Sequence, residues 1–320
     1  MDRASASGAE GRRFDSFRGH VNDKRPTRTR FLVRRVTVLS AAILSLFVIF
    51  QLITGKETLI SRVITPPFDC VANSPLPQTF VDSWTAEHLP VEFNATVIDL
   101  VEGCTYTIGN SAATFPTAST GKVIVATRVL EMVSAGLLDY TTIYPDLDLM
   151  LTESNNESAN RLFLAIGENI GVNSVIESYA LTSTSPGWTW GTIQTTSSDQ
   201  ALLLEQVLGT KESPLPETQR VILRDLMKSV KPEQAWGAGS TGGIPVGWSA
   251  AVKNGWYLSV EGDQPPVGLW RINTAGYVWD QENKPRWIFT GYSDTWPTED
   301  GGESAWNAIT KQLSATLGIR

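Results

Sequence analysis

The chain has 320 residues, of which 42% are hydrophobic and 18% are charged, and it contains 11 tryptophans. This composition can bury the core of one large domain or two small ones, and it is not that of a disordered chain. Residues 1–35 hold ten Lys and Arg against four Asp and Glu, which leaves 16 basic and 29 acidic residues in the remainder. An acidic body argues against nucleic-acid binding, which requires a basic face.

The first predicted element is an apolar segment directly after the basic tail. Residues 36–53, VTVLSAAILSLFVIFQLI, contain no charge, and with some help from their flanks they can cross about 30 Å of hydrocarbon. We therefore predict a disordered cytoplasmic tail at residues 1–35 and a transmembrane helix at residues 36–55, with the N-terminus inside because the basic residues precede the helix. A cleaved signal peptide is the alternative, but its basic region would be unusually long and no A-x-A-like site follows.

The next segment predicts a stalk outside the cytoplasmic membrane. Residues 56–90 are rich in Pro and polar residues, which is typical of a linker, and they lead into a domain predicted at residues 91–320. Outside the cytosol a pair of cysteines is more often a disulfide than a reactive or metal-binding pair, so Cys70 and Cys104 predict a disulfide. Two cysteines and two histidines in the whole chain do not make a convincing zinc site, and no cofactor is expected.

The domain is predicted to be α/β, of the α+β kind. A β-hairpin comes first, because its two segments alternate apolar and polar residues and are rich in β-branched side chains; helical spacing follows, and strand patterns return from residue 250. The predicted strands are residues 91–100, 104–109, 250–259, 268–280 and 286–294, and the predicted helices are residues 119–138, 158–167, 197–208, 214–230 and 303–318. Strands at both ends with helices between them predict one antiparallel sheet flanked by helices, with an all-helical subdomain inserted.

The stretch FPTASTGK, residues 115–122, places Ser119 and Lys122 one helical turn apart on the same face. A serine hydroxyl is a poor nucleophile until a base takes its proton, and a lysine amine can do so only when it is neutral, which burial favours. At a helix N-terminus the backbone N–H of Ser119 also points outward, where it can stabilise an oxyanion. Alone, the pair is also consistent with a helix-capping serine beside a solvated lysine.

Two further stretches extend this pattern. The sequence continues with SNN at residues 154–156, where a helix is predicted to start, and with KNG at residues 253–255 in a predicted strand. Together with Ser119 and Lys122, these stretches resemble, in order, the S-x-x-K, S-D-N and K-T-G signatures of the serine β-lactamase and penicillin-binding protein superfamily. The flanking residues are similar to those of class A β-lactamases, and the resemblance covers about residues 90–315.

The resemblance implies catalysis through an acyl-enzyme. Ser119 would attack a carbonyl, Lys122 would be the candidate base, Ser154 would pass protons to the leaving amine and Lys253 would supply positive charge. The implied substrate-binding residues are Asn156, Asn254, Gly255, Trp256 and Arg271. In this scheme Asn156 holds the substrate amide, Asn254 binds a carboxylate, and the backbone N–H groups of Ser119 and Trp256 form the oxyanion hole. Arg271 is either a further carboxylate ligand or the partner in a salt bridge.

Two substitutions and one short connection depart from the pattern of the family. Asn155 stands where S-D-N has Asp, and Asn254 stands where K-T-G has Thr or Ser, so both positions keep a hydrogen-bonding side chain. The interval from Ser119 to Ser154 spans 35 residues, which is shorter than in class A enzymes. Part of one wall of the cleft is therefore predicted to be missing.

The loop after the second motif departs further. Class A enzymes carry there an E-x-x-L-N signature whose glutamate activates the water that hydrolyses the acyl-enzyme. Residues 178–198 of this chain contain Trp188 and Trp190 but neither that signature nor any acidic residue. The sequence therefore predicts an acyl-enzyme that persists.

The resemblance therefore implies a wall-facing serine hydrolase or acyl transferase, of the D-alanyl peptidase type or a related amide or ester hydrolase. Its substrate would be cell-wall peptide or another small acyl donor, and β-lactams would act on it as slow inhibitors. Two alternatives stay open: a catalytically silent binding or scaffold protein with this fold, consistent with Asn155 and Asn254, and a true β-lactamase. A Ser-His-Asp hydrolase is disfavoured because His88 is the only histidine outside the tail and no G-x-S-x-G elbow exists.

Overall fold

The computed structural model describes residues 68–209, 211–261 and 267–319. Its helices are α1 (Gln78–His88), α2 (Lys122–Ser134), α3 (Tyr140–Thr152), α4 (Asn156–Ala165), α5 (Asn169–Ser178), α6 (Ser197–Leu208), α7 (Glu217–Lys228) and α8 (Glu299–Leu317). Its strands are β1 (Glu92–Asp99), β2 (Cys104–Gly109), β3 (Phe115–Pro116), β4 (Gln194–Thr195), β5 (Ser249–Leu258), β6 (Trp270–Trp279) and β7 (Pro285–Asp294).

Five strands form one antiparallel sheet in the order β2-β1-β7-β6-β5. The hairpin β1–β2 comes from the start of the domain, and it joins β7 from near its end, with Ala95 opposite Gly291. The short strands β3 and β4 pair separately. The prediction of an antiparallel sheet flanked by helices, assembled from distant segments, is confirmed.

The two faces of the sheet pack against different helices because side chains alternate along each strand. Ala251 of β5 belongs to the core formed with α2 to α7, whereas Val252 belongs to the core formed with α1 and α8. Helix α2 lies inside the first core, and its residues 122–127 are all buried. A helical segment that is buried on every side, as this first half of α2 is, is held by packing rather than by its own propensity. Its first residue, Lys122, is therefore fixed inside the molecule.

Part of the region predicted as a stalk belongs to the folded domain. Trp84 of α1 is buried in the core with α8, and its indole Nε1 donates to the carbonyl of Ala305 at 3.1 Å. Its ring centroid lies 5.6 Å from that of Trp306. The Pro-rich composition of residues 56–90 predicted a linker rather than a helix. The helix is stabilised by burial of one tryptophan and shows no regular apolar stripe that a sequence pattern would detect.

Cys70 and Cys104 form a disulfide in the structure. It joins the segment that precedes α1 to the first residue of β2. The predicted cytoplasmic tail and transmembrane helix lie outside the described residues. Within residues 68–209, 211–261 and 267–319, no helix is both long and apolar enough to cross a membrane.

Candidate active site

Ser119 lies in a single turn of 3₁₀-helix, Ala118–Gly121, that leads directly into α2. The backbone N–H of Thr117 donates to the carbonyl of Ile193 and that of Ala118 to the carbonyl of Gly191, both at 2.8 Å, so the loop before β4 holds the turn in place. Ala118 has a φ of 47°, a left-handed conformation that costs energy in a residue with a Cβ. This strained turn presents Ser119 half-buried at the surface of the domain.

Strand β5 runs alongside this turn, and only a glycine fits at the point of closest approach. A Cβ on Gly255 would lie 2.5 Å from the backbone nitrogen of Ser119, closer than real Cβ contacts come. The backbone of residues 255–256 therefore lies next to the N-terminus of the turn. This is the arrangement that the predicted oxyanion hole, the N–H groups of Ser119 and Trp256, requires.

Lys122 is fully buried, and its ammonium group connects the first two motifs. Its Nζ lies 3.1 Å from Ser119 Oγ, 2.8 Å from Asn156 Oδ1, and 2.6 Å and 3.1 Å from the carbonyl oxygen and Oγ of Ser154. Burial lowers the pKa of Lys122 from its ordinary value of 10.5 to about 7. A neutral amine within hydrogen-bond distance of a serine hydroxyl can accept the proton of that hydroxyl.

Ser154 lies between the two buried lysines. It occupies the short connection from α3 to α4 with a φ of 58°, and its Oγ lies 2.8 Å from Nζ of Lys253. Burial, and next the charge of Lys122, lower the pKa of Lys253. The four side chains thus form one continuous chain of polar contacts, Ser119–Lys122–Ser154–Lys253, along which a proton can move.

The two departures from the family's motifs have different structural roles. Asn155 caps helix α4, because its Oδ1 accepts from the backbone N–H of Ser158 at 2.9 Å. Asn254 is buried, and its side-chain amide donates to the carbonyls of Gln234 and Trp236 at 2.9 and 3.0 Å. The alternation of β5 places this side chain on the face opposite Lys253 and Gly255. The structure therefore does not bring Asn254 to the position of a carboxylate ligand.

Arg271 takes part in a salt bridge, one of the two alternatives from the sequence, and it also lines a cleft. It is 2% exposed, and its Nε lies 3.1 Å from Oδ2 of Asp294, while it also lines a cleft of about 400 Å³ beside β3. The cleft is bordered by Phe115, Gln194 and Tyr257 among others. Phe115 lies four residues before Ser119 in the chain, and Tyr257 lies two residues after Gly255, so the lining of this cleft includes segments that continue into the site.

Trp190 is a site residue that the sequence did not single out as a contact of Lys122. Its ring centroid lies 4.4 Å from Nζ of Lys122, and its indole Nε1 donates to Oδ1 of Asn160 at 2.9 Å. The acid-free composition of the loop was visible in the sequence, but the position of the ring depends on the loop's conformation. In the part of the chain that the structure describes, no group of three or more His, Cys, Asp and Glu residues is placed to hold a metal ion.

Comparison with known proteins gives relatives of two kinds. No family model matches the chain. Proteins of Mycobacterium tuberculosis and Mycobacterium bovis, both named "Putative lipoprotein LppW", are 33% identical to it over 221 residues, covering 63% of this chain and 68% of theirs.

Solved structures with the same fold are more distant in sequence. A β-lactamase from Chitinophaga pinensis has a TM-score of 0.62 and 20% identity, covering 74% of this chain and 97% of its own. A β-lactamase from Sphaerobacter thermophilus has a TM-score of 0.63 and 17% identity, covering 79% and 99%. A PBP-A mutant, solved as an acyl-enzyme complex with penicillin G, has a TM-score of 0.64 and 16% identity, covering 80% and 100%. The chain therefore has the fold of the serine β-lactamase and penicillin-binding protein superfamily.

Proposed function

The chain belongs to the family of the mycobacterial LppW proteins, and from this premise we propose that it is a membrane-anchored extracytoplasmic serine hydrolase or acyl transferase. It acts through an acyl-enzyme on Ser119, and its substrate is cell-wall peptide or a related amide or ester. The observation that carries this proposal is the continuous chain of polar contacts from Ser119 through Lys122 and Ser154 to Lys253. A helix-capping serine beside a solvated lysine would need no such burial and no second lysine.

The proposed acylation uses these groups in sequence. Neutral Lys122 takes the proton of Ser119 as Oγ attacks the substrate carbonyl carbon, and the backbone N–H groups of Ser119 and Trp256 stabilise the oxyanion. Ser154 then gives its proton to the leaving amine and receives one from Lys122 as the carbon–nitrogen bond breaks. The products are a free amine and an ester on Ser119. Asn156 is exposed, so its amide N–H groups can bind the substrate while its Oδ1 accepts from Lys122.

The test of this proposal is the mass of the full-length protein after incubation with a fluorescent penicillin. A covalent mass increase equal to the whole penicillin supports acylation, since the opened ring stays attached to the ester. An unmodified mass with all acyl donors tried would favour the silent scaffold. Rapid hydrolysis of a chromogenic cephalosporin over many turnovers would favour a true β-lactamase.

The rate of acylation is expected to rise with pH through about 7. Below the pKa of Lys122, which burial lowers to about 7, the amine is protonated and cannot accept the proton of Ser119; above it, the neutral form predominates. The check is the first-order rate of penicillin labelling measured from about pH 5 to about pH 9. A rate that is flat over this range, or that falls as the pH rises, would contradict the role of Lys122 as the base.

The chain is expected to be anchored by residues 36–55, with residues 1–35 in the cytoplasm. The relatives' name, lipoprotein, agrees with attachment to a membrane, and both cysteines of this chain are joined in one disulfide, so the proposed anchor is a helix rather than a lipid on cysteine. Protease treatment of intact protoplasts should remove a C-terminal tag and spare an N-terminal tag. The reverse pattern, or a soluble mature form in the medium, would contradict this topology.

A further inference from the structure

The indole of Trp190 is held against the catalytic lysine at three points. The ring covers Nζ of Lys122 at 4.4 Å from its centroid, Nε1 donates to Asn160 of α4, and the main-chain carbonyl of Trp190 accepts from Oγ1 of Thr117 at 2.9 Å. The fit against the Ser119 turn is tight, because a Cβ on Gly121 would lie 2.1 Å from that carbonyl oxygen. These contacts fix the position of the ring relative to Ser119.

The ring occupies a side of Lys122 that its hydrogen bonds leave open. The other directions around Nζ are taken by oxygen atoms of Ser119, Ser154 and Asn156. A water molecule that hydrolyses the ester must stand within hydrogen-bond distance of a base and within reach of the carbonyl carbon. With the indole over the amine of Lys122, a water molecule on that side finds no group that can accept its proton. The ring also fills the space that the water would occupy.

The loop that carries Trp190 offers no carboxylate that could bind and activate a hydrolytic water in place of Lys122. Residues 178–198 contain no acid, and the next one, Asp199, accepts from the N–H of Ser183 and from Oγ1 of Thr184 at 2.8 and 2.7 Å. These bonds engage Asp199 with its own loop rather than with the ester. The loop therefore places an indole, and no carboxylate of its own, beside Lys122.

We propose that Trp190 determines the fate of the acyl-enzyme by keeping water from the ester on Ser119. This inference rests on the proposed function. The ester is then resolved by an amine acceptor, whose nitrogen attacks the carbonyl carbon as the bond to Oγ breaks. The amine's proton passes to Ser154, from Ser154 to Lys122 and from Lys122 to Oγ of Ser119. This reverses the path of the leaving amine, and it begins at Ser154 rather than at the lysine amine that the indole covers. Trp190 is therefore a specificity-determining residue that selects against hydrolysis.

The experiment follows the release of a fluorescent penicilloyl group from full-length protein after excess reagent is removed. We expect Trp190→Ala to shorten the lifetime of the adduct at least about tenfold, because water gains access to the ester. Trp190→Phe keeps a ring over Lys122 and should retain most of the wild-type lifetime. Trp248→Ala removes another half-buried tryptophan, which packs on Trp287 away from the site, and should leave the lifetime unchanged.

The outcomes distinguish failure of this inference alone from failure of the proposed function on which it rests. An acylated Trp190→Ala with the wild-type lifetime overturns the inference and leaves the proposed function standing. Wild-type protein that is never acylated overturns both. If Trp190→Ala does not fold, Trp190→Leu takes its place. A variant that melts like the wild type but is no longer acylated also overturns the inference, since Trp190 would then serve acylation instead of protecting the ester.

Discussion

Replacement of Ser119 by alanine is expected to abolish the covalent adduct with a fluorescent penicillin completely. Oγ of Ser119 lies 3.1 Å from Nζ of Lys122, which can take the proton of this hydroxyl. Alanine offers no nucleophile in its place. The change removes a single half-buried oxygen, so the fold should persist. The measurement is the intact mass of the protein after incubation, together with in-gel fluorescence.

A matched control for this variant lies on the same helical segment. Ser134 is the last residue of α2, and Ser134→Ala should be labelled like the wild type. Full labelling of Ser119→Ala would show that another residue is the nucleophile. If Ser119→Ala also behaves as wild type in cells and no acyl donor labels the native protein, the silent scaffold is the better account.

Replacement of Lys122 by methionine is expected to slow acylation by about 10²–10⁴-fold, the usual effect of removing a positioned general base. Methionine fills a similar volume in the buried position and cannot take a proton. Lys311→Met, on an exposed position of α8, should leave the rate unchanged. The measurement is the first-order rate of labelling at a fixed penicillin concentration.

This variant also needs a readout that separates chemistry from structure. Without Lys122, oxygen atoms of Ser154 and Asn156 lose a donor. An unsatisfied polar group costs about 1–3 kcal/mol of unfolding free energy when it is fully buried, and less at these part-buried positions. The melting temperature records that cost, whereas partial rescue of labelling by a small primary amine in solution would report on the missing base. An acylation rate equal to that of the wild type would contradict the assignment of Lys122.

The sequence predicted the site best where catalysis requires two side chains at a fixed spacing along the chain. Ser119 and Lys122 lie one turn apart on any helix, and the resemblance of the three ordered motifs to those of the superfamily implied that Ser154 and Lys253 would meet them. The structure brings all four together. The position of Asn254 could also have been derived, because a strand that turns Lys253 and Gly255 to one face must turn Asn254 to the other.

Other features depended on tertiary contacts that no local pattern records. Helix α1 follows a proline-rich segment, and a single buried side chain, Trp84, ties it to the domain. Helix α3 contains Pro145 within it, which counts against a helix in any local reading. The placement of Trp190 over Lys122 requires the path of a whole loop, which sequence patterns do not provide.

Lys122 and Lys253 contact the same hydroxyl, that of Ser154. As a result, these two lysines can take up protons when an anion binds beside them. Both have a lowered pKa, Lys122 because of burial and Lys253 because of burial and the neighbouring charge. A carboxylate that enters beside them stabilises their protonated forms and raises both values. Binding of an anionic ligand near neutral pH is therefore coupled to proton uptake from the solvent, and by linkage its affinity strengthens as the pH of the solution falls.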